Sequence, residues 1–206
     1  MSIRPVRVLA VTTALVVTMS ACSSSETTPE ETVIPSELQP TASPSPMVTP
    51  AQISSQWRTV NGPDFTIGVP GVFEEEIVTV ENGTKAYVFD APRTDDHDTS
   101  LERVAVIRDE KPKSDVVQQS FMLEEMQSIN NEDEVTRSEV TWPGAEKAIL
   151  VQWTNPVGGS EGKRRETWQL MVQINPDLIL NVIALGDADS FDDTDLPQIL
   201  ATFKGK

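Results

Sequence analysis

An α+β domain built on a mainly antiparallel β-sheet, with helices packed on it, is the fold class this 206-residue sequence predicts. Three observations carry the prediction. Asn82-Gly83, the strongest two-residue hairpin signal, stands between the alternating segments 76–80 and 84–89. A later group of alternating segments, Ile149/Val151/Trp153, Trp168/Leu170/Val172/Ile174 and residues 178–185, is joined by short turns, so successive strands run antiparallel. Two stretches with helical spacing, at 114–130 and 194–204, supply the layers that cover the sheet.

The chain opens on an address. Arg4 and Arg7 form a positive n-region, and residues 8–19 form an apolar stretch. At about 12 residues it fits a signal h-region and falls short of the roughly 20 that a spanning helix needs. Met19-Ser20-Ala21-Cys22 follows, then Ser23, Ser24 and Ser25. This run resembles the bacterial lipobox, in which small residues precede a Cys that receives a diacylglycerol thioether before the signal is cut in front of it. The resemblance implies that residues 1–21 are a lipoprotein signal peptide and that Cys22, the only Cys in the chain, is the lipidation site. Two acyl chains, at about 0.8 kcal/mol per buried CH₂, hold a protein on a bilayer where one chain does not. The expected location is therefore the cell membrane, with the rest of the chain lipid-anchored on the extracytoplasmic side.

Residues 22–56 then read as the lipidated Cys and a disordered tether. Residues 23–56 hold six Pro and thirteen Ser or Thr, with no Lys, Arg or aromatic residue. Such a segment buries too little apolar surface to offset its ordering entropy. As a coil it would span roughly 30 Å.

Residues 57–206 make one domain carrying 14 Lys+Arg against 28 Asp+Glu. Its length suits a single core. Phe65, Ile67 and Val69 alternate in a strand stopped by Pro70-Gly71. After the 76–89 hairpin, residues 101–108 form a strand apolar on both sides, as do residues 178–185 beyond the Asn175-Pro176-Asp177 turn. Neither is expected to face water. Ser114 is placed to cap a helix running to about Asn130, with Met122, Met126 and Ile129 on its apolar stripe and Phe121 and Leu123 widening it. Thr194 or Asp195 opens a closing helix with Leu196, Ile199, Leu200 and Phe203 inward, Pro197 being tolerated in the first turn.

This order resembles a known family. It comprises Trp57, the strand Phe65-Thr66-Ile67-Gly68-Val69-Pro70 followed by Phe73, a hairpin, a middle helix, a four-strand meander, and a helix ending Ile199-Leu200-Ala201-Thr202-Phe203-Lys204. The pattern is similar to the PsbP-like α/β/α sandwich, and within it to the LpqN-type lipoproteins of actinobacteria. The resemblance implies a binding or accessory module of the cell envelope, with no shared active site.

Charge and composition exclude several functions. A formal net charge of −16 is unsuited to nucleic acid, whose phosphates need Lys and Arg. One Cys and one His exclude a CxxC pair, a Cys-rich zinc site, HExxH and any multi-His site within the chain. No cofactor and no metal is expected. Gly158-Gly159-Ser160-Glu161-Gly162 matches GxSxG, but a nucleophile elbow lies between a strand and a helix, and this sequence lies between two strands. His97 stands among Asp95, Asp96 and Asp98 with no apolar neighbour, as in a solvated loop. Asp187, Asp189, Asp192, Asp193 and Asp195 recur near a helix start, but a calcium loop of the EF-hand type would need Gly and Glu where Asp192 and Gln198 stand.

Two features remain as binding residues. Trp153 and Trp168 fall symmetrically about the 155–163 loop and are expected to pair across the hairpin, in the core or as an exposed platform. Lys163, Arg164 and Arg165 form the only basic run in an acidic domain, a candidate contact for anionic head groups or an acidic partner. The expected function is a non-catalytic, lipid-anchored binding or scaffolding module of the bacterial envelope that engages an envelope protein. One alternative is a carrier of an envelope lipid or glycan in a pocket between sheet and helix. The other is a carboxylate-based hydrolase.

Overall fold

The computed structural model describes residues 36–43, 48–80, 83–92, 102–130, 135–157 and 162–206, all within a unit running from Pro35 to Lys206. The signal at 1–21, Cys22, Asn82, His97 and Ser160 lie outside the described residues. The strands are β1 (Trp57–Asn61), β2 (Phe65–Pro70), β3 (Glu74–Thr79), β4 (Lys85–Asp90), β5 (Arg103–Glu110), β6 (Thr136–Val140), β7 (Lys147–Pro156), β8 (Arg164–Asn175), β9 (Leu178–Asp187) and β10 (Lys204–Gly205). The helices are α1 (Val116–Asn130) and α2 (Leu196–Thr202). Seven strands form one sheet in the order β3-β4-β5-β9-β8-β7-β6, and β1-β2-β10 form a second. Every pairing is antiparallel. The fold is α+β with mainly antiparallel sheet, as the alternation predicts.

The β3–β4 hairpin forms, but around a longer loop than Asn-Gly alone implies. The Gly83 N–H donates to the Val80 carbonyl at 2.8 Å and the Val80 N–H to the Thr84 carbonyl at 2.9 Å. Three residues are therefore bracketed, with Gly83 in the left-handed region at φ 83°. Between β8 and β9 the Asp177 N–H donates to the Asn175 side chain at 2.9 Å, so the turn closes on its own residues.

One face of the large sheet packs on the small sheet and α2. Val104, Val106, Leu170, Val172, Leu180, Val182 and Ala184 meet Phe65, Ile67 and Val69 of β2 and Leu196, Ile199 and Leu200 of α2. Phe65 is edge-on to Tyr87 at 5.2 Å and stacked with Phe203 at 5.9 Å, joining the layers through one ring. The expected inward residues of α2 are all fully buried. Its first turn contains Pro197, and the Leu196 N–H is capped by Thr194 Oγ1 at 3.2 Å. The chain then continues past Thr202 into β10, which pairs with β2.

The helix α1 departs from expectation in two ways. Its cap is Asp115, whose Oδ1 accepts the Gln118 N–H at 2.9 Å, and not Ser114. Its buried side chains are Val116, Val117 and Ser120, whereas Met122 and Ile129 point outward, 54% and 83% exposed. The helix lies over β6, β7 and β8, whose outer face already carries the buried Ile149, Val151 and Met171. Short side chains let the helix approach that bulky surface. Because α1 covers this side of the sheet, β5 and β9 are not covered on both faces. Ile107, Ile183 and Leu185 on their outer faces are only half-buried.

The segment expected to hang free as far as Gln56 joins the fold much earlier. Ser36–Leu38 forms a short 3-10 turn against α1. The Ala42 N–H donates to the Arg137 carbonyl of edge strand β6 at 3.2 Å, and the Ala51 N–H to the Ala201 carbonyl at the end of α2 at 2.8 Å. Val48, 2% exposed, belongs to the core, and Ile53 packs on the Cα of Gly68. The Arg137 guanidinium, 3% exposed, donates to the carbonyls of Leu38 at 2.7 Å and Gln39 at 3.4 Å. Residues 36–43 and 48–56 join the fold through backbone groups and the side chains of Val48 and Ile53. Composition counts side chains and does not register backbone hydrogen bonds to an edge strand.

Candidate functional site

An antiparallel sheet has two ends, and topology sorts the loops between them. The end of β4, the start of β5, the tip between β7 and β8, and the end of β9 leading to α2 lie at one end. This end gathers residues far apart in the chain: Arg103, Lys163, Arg164, Arg165, Glu166 and the acidic stretch 187–195. It is the candidate functional end of the molecule.

The basic run is split by strand alternation. Arg164 shares the core face with Glu166 and Trp168, whereas Arg165 shares the outer face with Thr167 and stands opposite both Asn155 and Asp187. Lys163 closes the hairpin base, its carbonyl accepting the Val157 N–H at 2.9 Å, and the Arg164 carbonyl accepts the Ala188 N–H at 3.0 Å. Lys163 and Arg164 are exposed and Arg165 half-buried, yet each has partners within the protein. The run thus sits against the acidic start of the β9–α2 connection and forms one half of a mixed-charge surface. The Asp-rich stretch folds as turns. The Asp189 N–H donates to Asp187 Oδ1 at 3.0 Å, and Phe191–Asp193 makes a 3-10 turn. Among the described residues no three His, Cys, Asp or Glu side chains converge as a metal site.

The two tryptophans do not pair. Residues facing each other across β7 and β8 have numbers summing to 320, as in Trp153↔Thr167 and Gln152↔Trp168. Trp153 and Trp168 sum to 321, so they lie on opposite faces, since a one-residue slip reverses a strand's side chains. Both are buried, at 8% and 4% exposed, so neither is an exposed platform. Trp168 meets Phe191 at 4.9 Å between ring centroids, and its Nε1–H donates to Glu166 Oε1 at 2.6 Å.

That bond marks a feature the sequence reading missed. Glu166 stands opposite Gly186 on β9, and the register Arg103↔Leu185 places Glu102 opposite Gly186 from the other side. Two carboxylates therefore flank a glycine, two strand spacings or about 9.5 Å apart at the backbone. A Cβ on Gly186 would come within 2.8 Å of Leu196 Cδ1 and 3.3 Å of Phe191 Cδ2, so these apolar side chains rest on the bare backbone between the acids. Burial, aided by the nearby charge of Asp195, raises the pKa of Glu102. Burial is also the leading cause at Glu166, where Asp192 raises the pKa further and the Trp168 hydrogen bond and Arg164 partly offset it. Leu196 and Phe191 thus occupy the inner side of Gly186, between the two strands that carry the acids. A signal for Glu166 was present: in an alternating strand, the residue two before a buried Trp faces the same core. None existed for Glu102, whose partner is set by the β5–β9 pairing.

A polar groove lies at the opposite end, lined by Gly83, Thr84, Lys85, Arg108, Asp109 and Glu110. Arg108 is held there by Asp64 at 2.5 Å and Glu110 at 2.7 Å.

No family model and no curated protein matches the chain. Among solved structures, the chain is similar to a crystal structure from Bacteroides thetaiotaomicron VPI-5482, at 12% identity and a TM-score of 0.43 over 73% of this chain. The chain spans 49% of that structure's length.

Proposed function

We propose that this protein is a lipid-anchored, extracytoplasmic binding module of the bacterial cell envelope, akin to the LpqN-type lipoproteins with a PsbP-like domain, and that it works by surface contact without catalysis. The observation that carries the anchor is Cys22, the chain's only thiol, directly after an apolar stretch of signal length. Support for surface contact over carriage comes from the interior. Phe65, Phe89, Phe191 and Phe203, together with Ile67, Leu170, Leu180 and Ile199, fill the space between the layers where a lipid or glycan pocket was to lie. The paired carboxylates at Gly186 have apolar side chains between them, which argues against a hydrolase. The contact surface in this reading is the mixed-charge end carrying Lys163, Arg164 and Arg165, where an envelope protein of matching charge pattern would dock.

The test is direct. Intact mass of the membrane-extracted protein should equal the chain from Cys22 plus a diacylglycerol thioether. Cys22→Ser should release the protein from membranes. A mature protein of unmodified mass, or a serine variant that still pellets, overturns the anchor. Charge reversal at Arg164 and Arg165 that leaves every captured envelope partner unchanged overturns the contact surface.

A further inference from the structure

The two edges of the large sheet are finished differently. At β6 the segment before β1 lies alongside, its Ala42 N–H on the Arg137 carbonyl at 3.2 Å. At β3, among the described residues, no further strand follows. The six residues of β3 pair with β4 in one unbroken register, without the bulge or internal Pro that would blunt an edge. Which of its backbone groups stay free follows from the hairpin. The Val80 N–H donates to the Thr84 carbonyl at 2.9 Å, which makes Val80 and Thr84 a hydrogen-bonded pair. Antiparallel ladders alternate, so Val78–Ala86, Glu76–Val88 and Glu74–Asp90 are the bonded pairs that follow. The N–H and C=O groups of Glu75, Ile77 and Thr79 therefore point away from β4, with no strand to receive them.

Side chains give this edge a pattern. Glu74, Glu76 and Val78 share the outer face of the sheet, and Glu75, Ile77 and Thr79 the core side. There Ile77 continues the row Tyr87–Val106 and is 53% exposed, at the rim of the core, where one more strand would cover it. Glu75 is already paired with Arg58 at 2.5 Å, and Asp90, opposite Glu74, with Arg103 at 2.6 Å. Among the described residues no Lys, Arg or His pairs with Glu74 or Glu76. An excess of 28 acids over 14 bases in the domain disfavours a second copy at an edge headed by three Glu.

We infer that β3 receives a strand from a partner protein, added antiparallel, with Lys or Arg opposite Glu74 and Glu76 and apolar side chains opposite Ile77 and Val78. Antiparallel addition matches every other pairing in the sheet. The partner's main chain bonds Glu75, Ile77 and Thr79. Its basic residues stand opposite Glu74 and Glu76, at the non-hydrogen-bonded positions where facing side chains come closest. Passing from Thr79 to Glu74, the added segment reads polar, apolar, apolar, basic, polar, basic from its N-terminus. Backbone bonds supply affinity and the two charge pairs supply selectivity. This surface is separate from the 163–165 run and acts whether or not Cys22 is lipidated.

The probe is a fluorescein-labelled peptide, Thr-Val-Val-Lys-Thr-Lys with an amidated C-terminus, which meets positions 79 to 74 in that order. Titrated into the full chain in detergent, it should bind saturably by fluorescence anisotropy and slow hydrogen exchange over residues 74–79. Glu74→Lys with Glu76→Lys, both exposed in the parent, should weaken binding roughly tenfold. A peptide with Glu in place of both Lys should bind that variant and not the parent. N-methylation separates strand addition from charge attraction alone. A methyl on the second Val, whose N–H faces the Ile77 carbonyl, should cost about tenfold or more. A methyl on the first Val, whose N–H faces solvent, should cost less than about twofold. No saturable binding, indifference to the charge exchange, or equal loss from either methyl overturns the strand addition. So does a chain that dimerises through β3 in place of taking up the peptide.

Discussion

Arg137→Met should detach the segment around Leu38–Ala42 that docks beside α1 and β6. The guanidinium is 3% exposed and donates to Leu38 O at 2.7 Å, Glu124 Oε2 at 2.8 Å, Ser120 Oγ at 3.2 Å, Val117 O at 3.3 Å and Gln39 O at 3.4 Å. Removing one member of a buried ion pair costs about 3–5 kcal/mol, because the other charge and its acceptors stay behind. Glu124 is 25% exposed and regains some water, which puts the cost at the low end, about 3 kcal/mol. Loss of the cation–π contact with Phe121, at 5.4 Å, adds about 0.5 kcal/mol. For a unit of this size each kcal/mol moves Tm by roughly 2–4 °C, so a fall of about 7–14 °C is expected. Circular dichroism reads the melting. Hydrogen exchange at Ala42, whose N–H bonds the Arg137 carbonyl, reads the docked segment. A Lys at 137 should recover less than half the loss, since an ammonium lacks the planar fork that serves several acceptors. A Tm within about 3 °C of the parent, or unchanged protection at Ala42, would refute the clamp.

Two further outcomes follow from the core. Glu166 has its pKa raised in the fold, so in the window between its unfolded value and the raised one the native state binds the extra proton. Its contribution is greatest at low pH and is lost as pH rises through that window. Glu166→Gln, which keeps an acceptor for Trp168 Nε1, should therefore raise Tm at pH 7, and the advantage should shrink toward pH 4. A constant offset at both pH values refutes the burial argument. Thr202 Oγ1 accepts the buried Gly68 N–H at 2.9 Å and donates to the Ile199 carbonyl at 2.8 Å. Thr202→Val keeps the shape, strands that N–H and should cost about 1–3 kcal/mol by urea titration. A cost below about 0.5 kcal/mol would mean that water or a backbone shift satisfies Gly68.

Strand alternation was legible because a half-buried strand repeats its burial every second residue. The runs at 65–69, 149–153, 168–174 and 178–185 all became strands, and Gly83 took the turn conformation that its hairpin signal implies. The closing helix was equally legible, since Pro197 and Thr194 mark its start and Leu196, Ile199 and Leu200 its inward side. The candidate site was less so. Its basic run was visible, but its acidic neighbours on β9, the separation of Trp153 from Trp168, and the Glu102–Gly186–Glu166 row depend on register. Register across a hairpin is decided by where the loop closes, and no local pattern counts that.

The sequence by itself determined most of the strands, the closing helix, the charge and the expected address, because periodicity, turn chemistry and a solitary Cys act within a few residues of themselves. Tertiary structure alone decided which side of α1 is buried, how far residues 36–43 and 48–56 belong to the fold, and which carboxylates share a row. In each case several local arrangements bury similar apolar area. The choice falls to partners distant in the chain: Arg137 for the docked segment, Ile149 and Val151 beneath α1, and Gly186 between two acids.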